Sequence, residues 1–293
     1  MLRFGIDLGG TKTEGAILDA AGREILRERT ATDASSYEAV LGGVERLYRG
    51  MVRAVDVTPH TLGIGTPGAV SRRTGLLKNS NTTCLNGLPV ARDLRLRLGR
   101  ELAIENDANC FALAEAAAGA GRGQRVVFGV IMGTGCGGGI VLDGKVHGGL
   151  QSIAGEWGHT VIDPAGPPCY CGARGCVETF IGGSGLENRY AERTGSRLAV
   201  DGIVTAWRAG DAAATATMDD FFARFGQALA NLIAVLDPDV VVLGGGLSNI
   251  GELYARGVDE VRQRVFSDSL ETPIVKHRLG DSAGVIGAAL VGV

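Results

Sequence analysis

Apolar and polar positions follow one another along this chain in two rhythms. Residues Leu2–Leu8 form a short apolar run that ends at Asp7, Gly9 and Gly10, which predicts a buried strand. Strand-length runs follow at 13–18 and 24–30, so the chain opens as strand, glycine turn, strand. Residues Tyr37–Val55 switch to a helical rhythm, with Val40, Leu41, Val44, Leu47, Tyr48 and Met51 on one stripe. A strand at 62–64 stops at the turn signal Gly65-Thr66-Pro67-Gly68. Residues 76–89 are polar and irregular, 92–98 read as a short helix, 102–104 as a strand, and Asp107–Ala118 as an alanine-rich helix.

The opening pattern then recurs. Residues 125–132 read as a strand, 133–139 as a glycine-rich turn and 140–142 as the returning strand. Two Gly-Thr turns, near residues 10 and 135, point to two related halves. After a loop-rich stretch at 148–176, helices are expected at 185–193, 202–209 and 218–236. A strand at 240–243 ends in Gly244-Gly245-Gly246; a helical stretch (251–266), a short strand (273–277) and a small-residue helix (282–290) complete the chain. No low-complexity linker separates the halves, so the boundary is expected at a crossover near 119–123. One lobe would hold residues 1–118 with the C-terminal helix, 281–293, and the other residues 119–280.

Length and composition fit two packed lobes. At 293 residues the chain can bury two cores. Its net charge, 29 − 32 = −3, lacks the basic excess of an electrostatic nucleic-acid binder. Gly accounts for 47 residues against only 8 Pro, with 45% hydrophobic positions, so the glycines belong to turns in a folded protein. No run approaches the roughly 18 apolar residues of a membrane span. Asp7 interrupts the N-terminal apolar stretch, so no signal peptide is expected. Three of the six cysteines crowd into Cys169-Tyr170-Cys171-Gly172-Ala173-Arg174-Gly175-Cys176, which reads as a metal site in a reducing, cytoplasmic compartment.

Five groups of residues carry candidate chemistry. In Asp7-Leu8-Gly9-Gly10-Thr11-Lys12 the glycines expose backbone N–H groups suited to phosphate, Thr11 adds a donor and Asp7 can hold Mg²⁺ through water; an ordinary glycine hairpin is the bland alternative. Gly133, Thr134 and Gly135 open a second such turn, and the pair points to a polyphosphate held between the halves. Asp107, at a strand end leading into a helix, is either an N-cap or a general base for a sugar hydroxyl, and the two roles are compatible. His159 with Cys169, Cys171 and Cys176 makes three thiolates and one imidazole, a closed tetrahedral set for structural Zn²⁺. An open catalytic zinc site and cysteines packed merely as small hydrophobes are the weaker readings. Glu156 and Glu178 flank that cluster and can hydrogen-bond vicinal sugar hydroxyls or simply be solvated.

Together these residues resemble the ROK family of sugar kinases, in the actin/hexokinase-like superfamily. The resemblance covers nearly the whole chain. It rests on the Asp7–Lys12 motif, Gly65-x-Pro-Gly68, Glu105-Asn106-Asp107, Gly133-Thr134-Gly135, Gly155-Glu156-x-Gly-His159, the cysteine cluster running on to Glu178, and Leu243-Gly244-Gly245-Gly246. It implies an α/β, two-lobed, ribonuclease-H-like fold that closes on substrate. It further implies Asp107 as catalytic base, Gly68, Asn81, Asn106, Glu156, His159 and Glu178 at the sugar, and ATP phosphates on both Gly-Thr turns. Adenosine would lie near Gly244, Gly245 and Gly246. A homodimer is the family's usual assembly. Residues 79–87, Asn-Ser-Asn-Thr-Thr-Cys-Leu-Asn-Gly, most resemble bacterial fructokinases, also called mannokinases, with Cys84 where those carry Trp. Fructose is therefore the expected hexose, mannose or glucose weaker, and N-acetylglucosamine or N-acetylmannosamine the alternative. ROK transcriptional regulators place a DNA-binding region before the first glycine turn; only six residues precede Asp7 here, which disfavours that reading.

Overall fold

A computed structural model describes residues 1–55 and 59–292. Residues 56–58 and 293, which fall inside the expected first lobe, lie outside the described residues.

Strands β1 (Leu2–Leu8), β2 (Lys12–Leu18) and β3 (Glu24–Ala31) form an antiparallel meander. Helix α1 (Tyr37–Val55) then returns the chain so that β4 (His60–Thr66) lies parallel to β1. A small hairpin of β5 (Ala69–Val70) and β6 (Leu77–Lys78) and helix α2 (Val90–Leu98) lead to β7 (Ala103–Asn106), parallel to β4. Helix α3 (Asp107–Ala118) carries the chain to the second sheet, which opens with another antiparallel meander: β8 (Val126–Met132), β9 (Cys136–Leu142) and β10 (Lys145–Val146). Helices α4 (Glu178–Ile181), α5 (Gly183–Thr194), α6 (Val200–Arg208) and α7 (Ala212–Leu236) precede β11 (Val240–Gly244). Helix α8 (Arg256–Arg262) precedes β12 (Ile274–Lys276), and α9 (Ala283–Val291) returns to the first sheet. The two sheets run β3-β2-β1-β4-β7 and β10-β9-β8-β11-β12, the same order with the same directions. The repeat sensed in the two Gly-Thr turns is thus a repeat of whole sheets, each a meander followed by parallel strands that need helical crossovers.

Each sheet has its own core. The α1 stripe of Val40, Leu41, Val44, Leu47, Tyr48 and Met51 is buried as its spacing requires, together with Phe4, Ile6 and Ile64. The second core gathers Phe128, Phe221, Phe222, Phe225 and Leu243. A third cluster, including Phe111, Ala112, Val127, Val242 and Ala283, joins α3 and α9 to the second sheet. Helix α9 lies so close to β1 and β4 that a Cβ on Gly5 would fall 2.3 Å from the Val285 carbonyl oxygen, and one on Gly63 1.9 Å from that of Ala288. Only glycine permits that approach.

Glu115, on α3, is fully buried. Its carboxylate accepts the N–H groups of Ala120 (2.7 Å), Arg278 (3.1 Å) and Leu279 (2.9 Å). One side chain therefore holds both segments by which the chain passes between the sheets.

Three elements differ from the sequence expectation. Strand β9 begins at Cys136, so the glycine turn is confined to 133–135. Gly138 and Gly139 are packing glycines: a Cβ would lie 2.6 Å from the Phe128 and Trp157 rings at the first, and 2.5 Å from the Ala108 carbonyl oxygen at the second. Helix α7 begins six residues early because Asp211 caps it, accepting the Ala214 N–H at 2.7 Å. The stretch 251–266 divides into a 3-10 turn, Gly251–Tyr254, and the short α8.

Candidate active site

The residues expected at the sugar converge from both sheets on a cavity of about 260 Å³. Gly68, Asn81, Asn106 and Asp107 line it from the first sheet's side. The Gly133-Thr134-Gly135 turn, Glu156, His159 and Glu178 line it from the other. Asn106, rather than Asp107, caps α3: its side-chain oxygen accepts the N–H of Ala108 at 2.9 Å and of Asn109 at 3.4 Å. Asn106 also donates to the Gly68 carbonyl at 3.3 Å, tying the cap to the β4–β5 turn. Asp107 is then the first helical residue; it lines the cavity and its carboxylate accepts the Ala108 N–H at 2.8 Å. Burial pushes that carboxyl up to about 6; the Ala108 hydrogen bond opposes the shift and the charge of Glu156 adds to it. A carboxylate titrating so near neutrality is suited to accept a proton from a hydroxyl.

Asp7, at the end of β1, is the second unusual acid. Burial pushes it up to about 7, the charges of Asp107 and Glu14 push the same way, and Lys12 opposes them. Two carboxylates that raise one another's cost of ionisation make a place where a divalent cation would be favourable. Gly9, Gly10, Thr11 and Lys12 follow Asp7 in a tight turn closed by the Gly9 N–H on the Lys12 carbonyl at 3.0 Å. Gly10, Thr11 and Lys12 are exposed, and the turn walls neither this cavity nor the next.

The second wall is built on the loop after β10. Trp157 anchors it: the indole N–H donates to the Gly137 carbonyl at 3.2 Å and the ring meets Phe128 edge-on. That fixes the 3-10 turn Trp157–His159 and so presents Glu156 and His159. Glu156 is also raised by burial, with His159 and Lys78 pulling it back. Glu178 begins α4 and accepts the Cys136 N–H at 3.0 Å.

His159, Cys169, Cys171 and Cys176 lie together, with their ligand atoms all within 4.8 Å of one another. The Cys169 sulfur is 3.6 Å from His159 Nδ1, and the Cys171 and Cys176 sulfurs are 3.6 Å apart. All six cysteines are free thiols. A zinc tetrahedron with Zn–S bonds of ~2.3 Å has edges of ~3.8 Å, so this donor set fits Zn²⁺ and leaves no fifth place for water. The Val177 N–H on the Thr160 carbonyl, 2.9 Å, closes the base of the loop.

A larger cavity, about 840 Å³, adjoins the first and shares Gly133 and Thr134 with it. The starts of α5 and α6 and residues 246–250 wall it. The carbonyls of Gly133 and Thr134 are taken up by the N–H groups of Gly183 (2.8 Å) and Ser184 (2.9 Å), which holds the shared turn rigid. Of the three glycines expected at the nucleoside, Gly246 borders the cavity. Gly244 and Gly245 serve packing: a Cβ on Gly244 would lie 2.5 Å from the Phe111 ring, and Gly245 has φ 78°.

Sequence reasoning missed several wall residues. Asn79 and Tyr170 line the smaller cavity, and Ser184, Arg197 and Asp201 the larger. Asn79 stood inside a segment already singled out, and its positive φ of 61° is a role that Asn fills readily. Tyr170 stood between two cysteines of the thiol cluster and gave no signal of its own. Cys84, by contrast, walls neither cavity among the described residues; it packs against the first core. Asn86 is also structural, accepting the Ser80 N–H at 2.9 Å and donating to its carbonyl at 2.8 Å. Much of the fructokinase-like segment builds its own loop, and only Asn79 and Asn81 reach the cavity.

Two sheets of one topology, with paired acids at the cleft between them and a sugar-sized cavity opening on a nucleotide-sized one, have the fold of the ROK and hexokinase-like sugar kinases. The chain belongs to the ROK family, whose sequence profile matches residues 3–292. It is 38% identical to an N-acetyl-D-glucosamine kinase of Pasteurella multocida, over 98% of either chain. It is 37% identical to an N-acetylgalactosamine kinase of Shewanella sp., over 99% of this chain and 96% of that one. Among solved structures it resembles a ROK hexokinase from Thermus thermophilus, at 34% identity and a TM-score of 0.90 over 100% of this chain and 98% of that one. A ROK glucokinase from Streptomyces griseus, solved with glucose and AMPPNP, aligns with a TM-score of 0.81 at 30% identity over 100% and 99% of the two chains.

Proposed function

We propose that the protein is an ATP-dependent sugar kinase whose preferred acceptor is an N-acetylated hexosamine, N-acetylglucosamine first. The observation that carries the kinase reading is Asp107, a carboxyl pushed up to about 6, on the wall of a small polar cavity that meets a larger one at the Gly133-Thr134-Gly135 turn. The sugar identity rests on the relatives. The similar curated kinases act by name on N-acetyl-D-glucosamine or N-acetylgalactosamine, at 36–38% identity over nearly the whole chain. They favour the alternative substrate over fructose, and the loop-building role of residues 80–86 removes much of the support for fructose.

In this reading Asp107 orients the accepting hydroxyl and takes its proton as the oxygen attacks the γ-phosphorus; the bond to the ADP oxygen breaks and ADP leaves. Asn81, Asn106, Glu156, His159 and Glu178 hold the remaining sugar groups. The turn at 133–135 and, after closure, the turn at 9–12 hold the phosphates. Mg²⁺ beside Asp7 would neutralise the charge that gathers on the transferring phosphoryl group. Zn²⁺ on His159, Cys169, Cys171 and Cys176 would fix the loop that carries Glu156 and Glu178. The closing bodies are the lobes 1–118 with 281–293, and 119–280, and shutting them would exclude water as a rival acceptor. The test is an ADP-release assay over N-acetylglucosamine, N-acetylgalactosamine, N-acetylmannosamine, glucose, mannose and fructose. N-acetylglucosamine is expected to give the highest kcat/KM. Fructose in first place would overturn the sugar assignment, and no sugar-dependent ADP release would overturn the kinase reading.

A further inference from the structure

Tyr170 occupies a position that none of the roles above uses. It stands between two cysteines of the metal cluster, 71% exposed, yet it lines the sugar cavity. Its hydroxyl meets His159 Nε2 at 2.9 Å, and its ring stands at 89° to the imidazole with centroids 5.0 Å apart. Nδ1 of the same imidazole faces the Cys169 sulfur, so Nε2 is the nitrogen left for a ligand. Tyr170 also lines a further cavity of about 460 Å³, with Pro167, Pro168, Asn188 and Arg189. Tyr170, Asn81 and Glu178 wall both spaces.

A hexose whose accepting hydroxyl sits at Asp107 directs the far side of its ring toward Glu156, His159 and Glu178. A plain hydroxyl on that side can bond within the small cavity. An acetamido group there needs more room, and the cavity that shares Tyr170, Asn81 and Glu178 with the sugar cavity offers it. We propose that Tyr170 is a specificity-determining gate: its hydroxyl caps His159 in the empty site, and its ring swings aside to admit a bulky polar substituent of the sugar into the adjoining cavity. The swing is cheap because the ring is exposed and is held chiefly by one hydrogen bond. The mixed lining suits an acetamido group, with prolines for its methyl and Asn188 for its amide. The inference rests on the sugar-kinase reading.

The test compares kcat/KM for N-acetylglucosamine and for glucose in the full-length wild type, Tyr170→Phe and Tyr170→Ala, with zinc content measured alongside. Tyr170→Ala joins the two cavities and is expected to raise the N-acetylglucosamine-to-glucose ratio about two- to tenfold, the worth of one exposed hydrogen bond, through KM rather than kcat. Tyr170→Phe keeps the ring but frees His159, and should shift the ratio the same way by less. A ratio that is unchanged or lower in Tyr170→Phe at wild-type zinc content overturns the gate, whatever becomes of Tyr170→Ala. A wild type that releases ADP with none of the six sugars overturns the kinase reading and the gate with it, whereas a wild type active on these two sugars with an unmoved ratio in the variants overturns the gate alone.

Discussion

Replacing Asp107 by Asn should abolish turnover and, at neutral pH, stabilise the fold. An aspartate in an unfolded chain ionises near ~3.9. Folded, Asp107 is pushed up to about 6, mainly by burial. Between those values the native state holds the extra proton, so stability falls as pH rises through the window and the whole deficit is present above it. A displacement of about two units, at ~1.36 kcal/mol each, bounds the deficit at ~3 kcal/mol. Asparagine removes the charge and keeps an oxygen for the Ala108 N–H, while the helix cap on Asn106 is untouched. The variant should therefore gain about 1–3 kcal/mol above pH 7, at ~2–4 °C per kcal/mol of apparent Tm, and nothing at pH 4. Loss of the proton acceptor should lower kcat by about 10²–10⁴. Differential scanning fluorimetry without sugar, nucleotide or Mg²⁺, at pH 4 and pH 8, with a coupled assay at pH 8, reads both effects. Turnover within a few-fold of wild type, or no pH-dependent gain in Tm, would refute the reasoning.

Asp7→Asn should raise the Mg²⁺ concentration needed for half-maximal activity, because it removes one of the two acids that favour a cation there; an unmoved Mg²⁺ titration would count against the assignment. Metal analysis of freshly purified protein should find one zinc per chain, and chelation should lower Tm and activity together because the metal pins the loop bearing Glu156 and Glu178. Cys84→Trp should cost about 1–3 kcal/mol by overpacking the first core while leaving the ranking of sugars unchanged in the ADP-release assay. Glu115→Ala should cost at least ~3 kcal/mol by denaturant titration, since three backbone N–H groups lose their acceptor.

Chemistry confined to short stretches was legible in the sequence. The α1 stripe, the metal-ligand spacing from His159 to Cys176 and the acid at the end of β7 each declare themselves within a few residues. Two classes of feature did not. One was the purpose of individual glycines: Gly133 borders both cavities with nothing near where a Cβ would stand, while Gly139, Gly244 and Gly245 make room for neighbours distant in sequence, and nothing local separates the kinds. The other was side chains brought in by tertiary packing. Glu115 looks like any acid on an alanine-rich helix until residues 278 and 279 arrive from the far end of the chain to bind it. Tyr170 looks like filler between cysteines until the loop folds it over His159. The substrate expectation leaned on the asparagines of residues 79–87, whose spacing is set as much by the loop's own hydrogen bonds as by any sugar.

The docking of α9 across β1 and β4 bears on how the chain is made. The strands that carry Gly5 and Gly63 leave the ribosome more than two hundred residues ahead of the helix that covers them. The strands of the second sheet come from one continuous stretch and can pair while the first still shows a bare face of glycine and small apolar residues, but the α3 side of that sheet also waits for α9. Both halves therefore wait on one piece: every strand of the first sheet is made by residue 106, about 175 residues before α9 begins. A premature stop just before residue 283 would spare every residue of the proposed site and still leave Asp7 without the helix that packs beside it.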